Sequence, residues 1–125
     1  WLVSRNTRFT FFELVDLPAD GEPNGTIGQA LTAGRSIAVD VSAVPLGAAC
    51  YVSVTVPQAD AEGRLLGRSP VGRFMLAQDT GGAIKGPGRV DFYMGHGPEA
   101  ATLAHRVWDA GELYVLLKKT PARTR

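Results

Sequence analysis

Glycine and proline punctuate this chain throughout: fifteen glycines and eight prolines stand among 125 residues, against roughly 12% for the two together in average usage. Each is a natural turn former, so the excess favours many tight turns and short strands over long helices. The length suits one domain with a core near the small end of the usual range. Residues 1–125 are accordingly read as one domain, mainly β. Apolar residues make up 45% and charged residues 20%, the balance of an ordinary globular domain and not of a disordered tail.

Several function classes fall away at once. Thirteen Lys and Arg face twelve Asp and Glu, a formal net charge of +1, which gives no bulk electrostatic basis for binding nucleic acid. No stretch approaches the run of about 18 apolar residues that a transmembrane helix needs. Trp1-Leu2-Val3 runs straight into Ser4, Arg5 and Asn6, so no signal-peptide core is present. Cys50 is the sole cysteine, which excludes an intrachain disulfide and a cysteine-based zinc site. Its neighbours Ala48, Ala49, Tyr51 and Val52 read as strand, with Cys50 a small buried hydrophobe. Residue 1 is Trp and not Met, so the expectation is a processed chain or one piece of something longer.

The pattern then places the elements. Phe9-Thr10-Phe11-Phe12-Glu13-Leu14-Val15 is rich in aromatic and β-branched residues and predicts a strand. Residues 16–34 carry loop chemistry, and residues 36–40 predict a short strand. Val52, Val54 and Val56 share one face at period two. Residues 57–71, with Pro57, Gly63, Gly67 and Pro70, read as a surface excursion between paired strands. Residues 73–78 predict a strand that delivers Asp79 at its end. Pro87-Gly88 suits the centre of a type II turn, and residues 90–94 predict another strand. One helix is expected over residues 98–110, with Pro98 in its first turn, Leu103, Ala104, Val107 and Trp108 as its apolar stripe and Gly111 as its stop. Residues 113–117 predict a last strand. The sum is a mainly β domain with one helix near its C-terminus, a closed or nearly closed barrel.

Three aspartates, Asp40, Asp79 and Asp91, each end or interrupt an apolar strand. A carboxylate at the mouth of a barrel is partly desolvated, which suits it to general acid work. The competing account is turn chemistry, in which Asp accepts bonds from nearby backbone N–H groups. That account fits Asp79 best, because Thr80-Gly81-Gly82 must turn tightly beside it. It fits Asp91 least. Arg89-Val90-Asp91-Phe92-Tyr93 offers strand formers and no turn to cap.

Other motifs carry less. Asp79-Thr80-Gly81 matches the aspartic protease triplet, but the later apolar segment ends in Lys118-Lys119 where those enzymes need a glycine. Gly95-His96-Gly97-Pro98-Glu99-Ala100 resembles a dinucleotide fingerprint, but the following strand ends in lysines where an acidic ribose ligand is wanted. It reads better as a turn opening a helix. His96 and His105 form no spaced metal pair with a carboxylate, so neither a metal nor a cofactor is expected. Lys85 and Arg89 bracket Gly86-Pro87-Gly88, either as a solvated hairpin tip or as groups meeting a polar substrate beside the acids.

The block from Gln78-Asp79-Thr80-Gly81-Gly82-Ala83-Ile84-Lys85-Gly86 through Arg89-Val90-Asp91-Phe92-Tyr93 to Gly95-His96-Gly97-Pro98-Glu99-Ala100 resembles the C-terminal three-aspartate (3D) domain of the membrane-bound lytic murein transglycosylase A family. Gly34-Arg35-Ser36-Ile37-Ala38-Val39-Asp40 and Val44-Pro45-Leu46-Gly47 are similar to an earlier motif of that domain. Asn6 with Phe9, Phe11 and Phe12 resembles the family's Asn-Pro-x-Tyr-x-Phe-Phe lead-in, with Thr7 in place of the proline and Phe9 in place of the tyrosine. The resemblance runs over residues 5–119, apart from residues 57–71.

It implies a double-psi β-barrel, the C-terminal part of a longer enzyme. The earlier part of the same polypeptide would complete the barrel and wall a groove for peptidoglycan glycan strands. It implies cleavage of the β-1,4 bond between N-acetylmuramic acid and N-acetylglucosamine, with the muramyl 6-hydroxyl as nucleophile and a 1,6-anhydro end as product. The place implied is the periplasmic face of the outer membrane, with any anchor outside these residues. In the family one aspartate serves first as acid and then as base, and it maps onto Asp91; the companions map onto Asp79 and Asp40. A second carboxylate near a first disfavours the charged form, which gives such companions a tuning role. Lys85, Gly82, Ala83 and Arg89 are the candidate substrate-binding residues. Two other readings stay open: a non-catalytic peptidoglycan-binding barrel, and a hydrolase that uses water.

Overall fold

The computed structural model describes residues 14–17 and 21–119. Five strands and one helix follow in the order β1 (Ser36–Ala38), β2 (Ala49–Ala59), β3 (Leu65–Asp79), β4 (Asp91–Phe92), α1 (Gly97–Ala104) and β5 (Gly111–Val115). All five strands join one sheet in the order β4-β1-β3-β2-β5. β1 runs parallel to β3, and every other pairing is antiparallel.

Period-two patterning builds the core. Cys50, Val52, Val54 and Val56 turn inward from β2, where they meet Met75 and Ala77 of β3 and Ile37 and Val39 of the β1 segment. β-Branched side chains fit such a pleated, one-sided surface. Cys50 is fully buried, as its neighbours in the sequence suggested, and removal from water pushes its thiol pKa up.

The polar stretch 57–71 is not the expected excursion. β2 and β3 form one long hairpin paired from Ala49↔Leu76 to Ala59↔Leu65. Its turn is closed by Asp60, whose carboxylate accepts the Arg64 amide at 2.8 Å, with Gly63 at φ +81°. Pro70 is tolerated opposite Thr55 because β1 reaches only residues 76–79 of β3, leaving the earlier half of that strand with a single neighbour.

Other expectations shift by several residues. The helix ends at Ala104 and not at residue 110, and Ala100 is its one buried residue. The chain must turn after the helix and return as β5, whose Gly111 pairs with Val54. Gly111 is therefore no helix stop: a Cβ there would lie 2.6 Å from the Ser53 carbonyl oxygen, so close strand approach demands glycine. Trp108 is 85% exposed and not core, its indole N–H donating to the His105 carbonyl. The last strand is Gly111–Val115, and the one expected over residues 90–94 shrinks to Asp91–Phe92. In the turn before it, Gly86 and not Gly88 takes the left-handed conformation, at φ +79°, so Pro87-Gly88 is not the centre of a type II turn. Most of the strand expected over residues 9–15 lies outside the described residues; Leu14 and Val15 carry no strand and are exposed.

The sheet curls. Its edge strands, β4 and β5, both line one cleft of about 750 Å³, with Phe92 on one wall and Leu113 on the other. Among the described residues the result is an open, curled sheet with one short helix, and not a closed barrel.

Candidate functional site

The topology gathers the three aspartates. β1 and β3 are parallel, so they end at the same edge; β4 is antiparallel to β1, so it begins there. Ala38 pairs with Asp79 on one side and with Asp91 on the other. Two interstrand steps separate those acids, roughly 10 Å between backbones. Asp40 follows two residues after Ala38, and the Val39 amide between them donates to the Asp79 carbonyl at 3.0 Å. Residues 39 apart and 12 apart in the chain thus meet at the end of a three-residue strand.

Asp79 and Asp91 line a common cavity of about 230 Å³ with Thr80, Ile84 and Tyr93. Ser36 also lines it and is the one fully buried polar residue in the described core. The Ser36 hydroxyl donates to Gln78 Oε1 at 2.5 Å and accepts the Thr32 amide at 2.8 Å. A buried hydroxyl satisfied in this way fixes the cavity wall without an orphan polar atom. Asp91 also lines the larger cleft, the one of the three aspartates common to both.

Each acid has a different partner. Both oxygens of Asp91 accept from Arg89, Nε to Oδ1 and Nη2 to Oδ2 at 3.0 Å each. Arg89 also reaches the Ala83 carbonyl at 3.3 Å. Asp40 is the acid most absorbed in turn chemistry: it accepts from the Ser42 amide and hydroxyl, and from the Gly86 amide at 2.7 Å. Those bonds, the Gly86 N–H foremost, hold its carboxyl down at about 2. Asp40 thereby ties the loop before β4 to the end of β1. Contrary to the expectation, Asp79 does not bond the turn beside it; its Oδ1 accepts from Thr26, 53 residues upstream, at 3.0 Å from the amide and 2.8 Å from the hydroxyl.

The candidate binding residues spread around the acids. Gly82, Ala83 and Lys85 are exposed on the loop that Asp40 holds, outside the lining of the acid cavity. Arg89 lines the larger cleft, as does Trp108. His105 is solvated and its Nδ1 lies 2.6 Å from the Ala101 carbonyl. Among the described residues no group of three or more His, Cys, Asp or Glu is arranged to hold a metal ion.

Two residues escaped the sequence reading, Thr26 and Glu22. Glu22 accepts from the Tyr93 hydroxyl and lies 3.6 Å from His96 Nδ1. Burial first, and Glu22 second, push the Tyr93 phenol up to about 12. No local signal marks either residue. Both sit in a stretch that reads only as loop, and their partners lie 53 and 71 residues away.

The 3D domain family model matches residues 35–117. Membrane-bound lytic murein transglycosylase A of Escherichia coli K12 is 35% identical over 116 residues, 92% of this chain and 30% of that protein. Among solved structures, the lytic transglycosylase LtgG of Burkholderia pseudomallei matches with a TM-score of 0.67 and 36% identity over 79% of this chain and 28% of that one. MltA from Escherichia coli, described as having a unique lytic transglycosylase fold, matches with a TM-score of 0.64 and 33% identity over 82% of this chain and 30% of that one. The chain spans about 30% of the length of the curated relative it matches.

Proposed function

The chain belongs to the 3D domain family, and from that premise we propose that it is the acid-bearing, C-terminal part of a peptidoglycan lytic transglycosylase. The observation that supports the reading is that Asp91 lines one cavity together with Asp79 and also lines the larger cleft. The names of the relatives support the same activity. The substrate is a peptidoglycan glycan strand, cut at the β-1,4 bond between N-acetylmuramic acid and N-acetylglucosamine.

One carboxyl group suffices for the chemistry. Protonated Asp91 gives its proton to the glycosidic oxygen as the C1–O bond breaks, through an oxocarbenium-like transition state. The resulting carboxylate takes the proton of the muramyl 6-hydroxyl as that oxygen bonds to C1. The products are a 1,6-anhydromuramyl end and a free 4-hydroxyl, with Asp91 protonated again. Arg89 occupies both Asp91 oxygens, so it gives up at least one when substrate arrives and turns towards the glycan. Lys85, Gly82 and Ala83 line its approach. Asp79 orients the site from the opposite wall, and Asp40 holds the loop that carries those binding residues.

The curled sheet is completed to a double-psi barrel by an earlier part of the same polypeptide, which closes the larger cleft. The enzyme works in the cell envelope, at the periplasmic face of the outer membrane. Among the described residues no helix is long and apolar enough to cross a membrane. The test is digestion of purified peptidoglycan by the full-length enzyme, with products weighed by mass spectrometry. Anhydromuramyl ends support the reading. Reducing ends mean a hydrolase, and intact strands that still bind the protein mean a glycan-binding module; either overturns it.

A further inference from the structure

We infer that the loop of residues 21–32 is a strap that sets the acid cavity, with Thr26 as the positioning residue for Asp79. The inference rests on the transglycosylase reading of that cavity. The strap is a closed unit: Leu31 N–H donates to the Pro23 carbonyl at 2.9 Å, Gly25 N–H to Gln29 at 2.9 Å, and Asn24 bridges Ala30. It is also pinned to the sheet, because the Ile27 amide donates to the Gln78 carbonyl at 3.1 Å. Gly25 permits that approach: a Cβ there would lie 2.4 Å from the same carbonyl oxygen.

From this seat Thr26 grips one oxygen of Asp79 twice, through its amide and its hydroxyl. The Thr26 hydroxyl also lies 2.8 Å from the Thr80 hydroxyl. A hydroxyl has one proton to give and an ionised carboxylate can only accept. With Asp79 ionised the order is therefore fixed: Thr80 donates to Thr26, and Thr26 donates to Asp79. Oδ1 is thereby committed, and Oδ2 accepts no bond among the described residues. Asp79 lines the cavity that Asp91 shares, so the bonds that fix Oδ1 fix the carboxylate of a lining residue. The same strap also reaches Tyr93, whose hydroxyl donates to Glu22; Tyr93 stands two residues after Asp91 and lines the same cavity.

The experiment measures kcat and KM for release of anhydromuropeptides from purified peptidoglycan by the full-length enzyme. The variants are Thr26→Val, Thr26→Ser, Asp79→Asn and the double variant Thr26→Val with Asp79→Asn. Thr26→Val removes one hydrogen bond to a charged acceptor and keeps the amide bond, so kcat falls about tenfold with KM within about twofold. Thr26→Ser restores kcat. If Thr26 acts through Asp79, the double variant is no slower than Asp79→Asn alone. An unchanged kcat in Thr26→Val, no rescue by serine, or losses that multiply in the double variant overturn the inference while leaving the functional reading intact. A wild-type enzyme that releases no anhydromuropeptide overturns both.

Discussion

A single guanidinium, that of Arg89, holds both oxygens of Asp91 in a fork of two 3.0 Å bonds. This geometry combines charge with direction, since a planar fork fixes the plane of the carboxylate it grips. The pair is half exposed, each side chain at 48%, so solvent screens it and it adds little to folding. Its importance lies at the site, where Arg89 releases at least one Asp91 oxygen and turns towards the glycan. Replacing Arg89 by Met therefore leaves the thermal midpoint within a few degrees of wild type, yet lowers kcat on peptidoglycan by about tenfold. Unfolding scans and steady-state assays on the same preparations check both halves.

Asp40 predicts an acid limb to stability. Its carboxyl is held at about 2 against an ordinary 3.8, chiefly by the Gly86 amide and then by Ser42. A depressed folded pKa contributes stability that is fully present above the unfolded value and is lost as pH falls through the folded one. The window runs from about pH 4 to about pH 2. Thermal midpoints measured across it fall more steeply for wild type than for Asp40→Asn, and the two curves converge at the acid end. Parallel curves across the whole window would contradict the assignment.

Cys50 predicts chemical silence. It is fully buried between strands, and desolvation disfavours its thiolate. Peptide mapping after brief alkylation of the native protein at neutral pH finds Cys50 unmodified, and finds it modified after denaturation. Cys50→Ser places a hydroxyl in that apolar seat and costs about 1–3 kcal/mol, whereas Cys50→Ala costs less than Cys50→Ser.

The sequence made the sheet legible where side chains alternate and obscured it where they do not. Val52, Val54 and Val56 declare one face of β2 through period two alone. Residues 57–71, with Gly67 and Pro70, read as a surface excursion, yet residues 65–71 pair along β2 because an edge half-strand tolerates both. Gly111 looked like a helix stop because a glycine after an apolar stripe carries that signal; the close approach of β5 to β2 is a tertiary fact. The three aspartates were visible as residues, and their convergence needed the pairing of Ala38 with both Asp79 and Asp91. Thr26 and Glu22 were not legible at all, since what defines them is a partner more than fifty residues away.

The central claim is that Asp91 is the acid and base of glycan cleavage. The most direct measurement compares full-length wild type with Asp91→Asn on purified peptidoglycan, reading 1,6-anhydromuramyl products by mass spectrometry and strand binding by sedimentation with the insoluble substrate. An asparagine keeps the size and loses the transferable proton, so the account predicts retained binding with no anhydro product. Near-wild-type release of anhydromuropeptides by Asp91→Asn would contradict it.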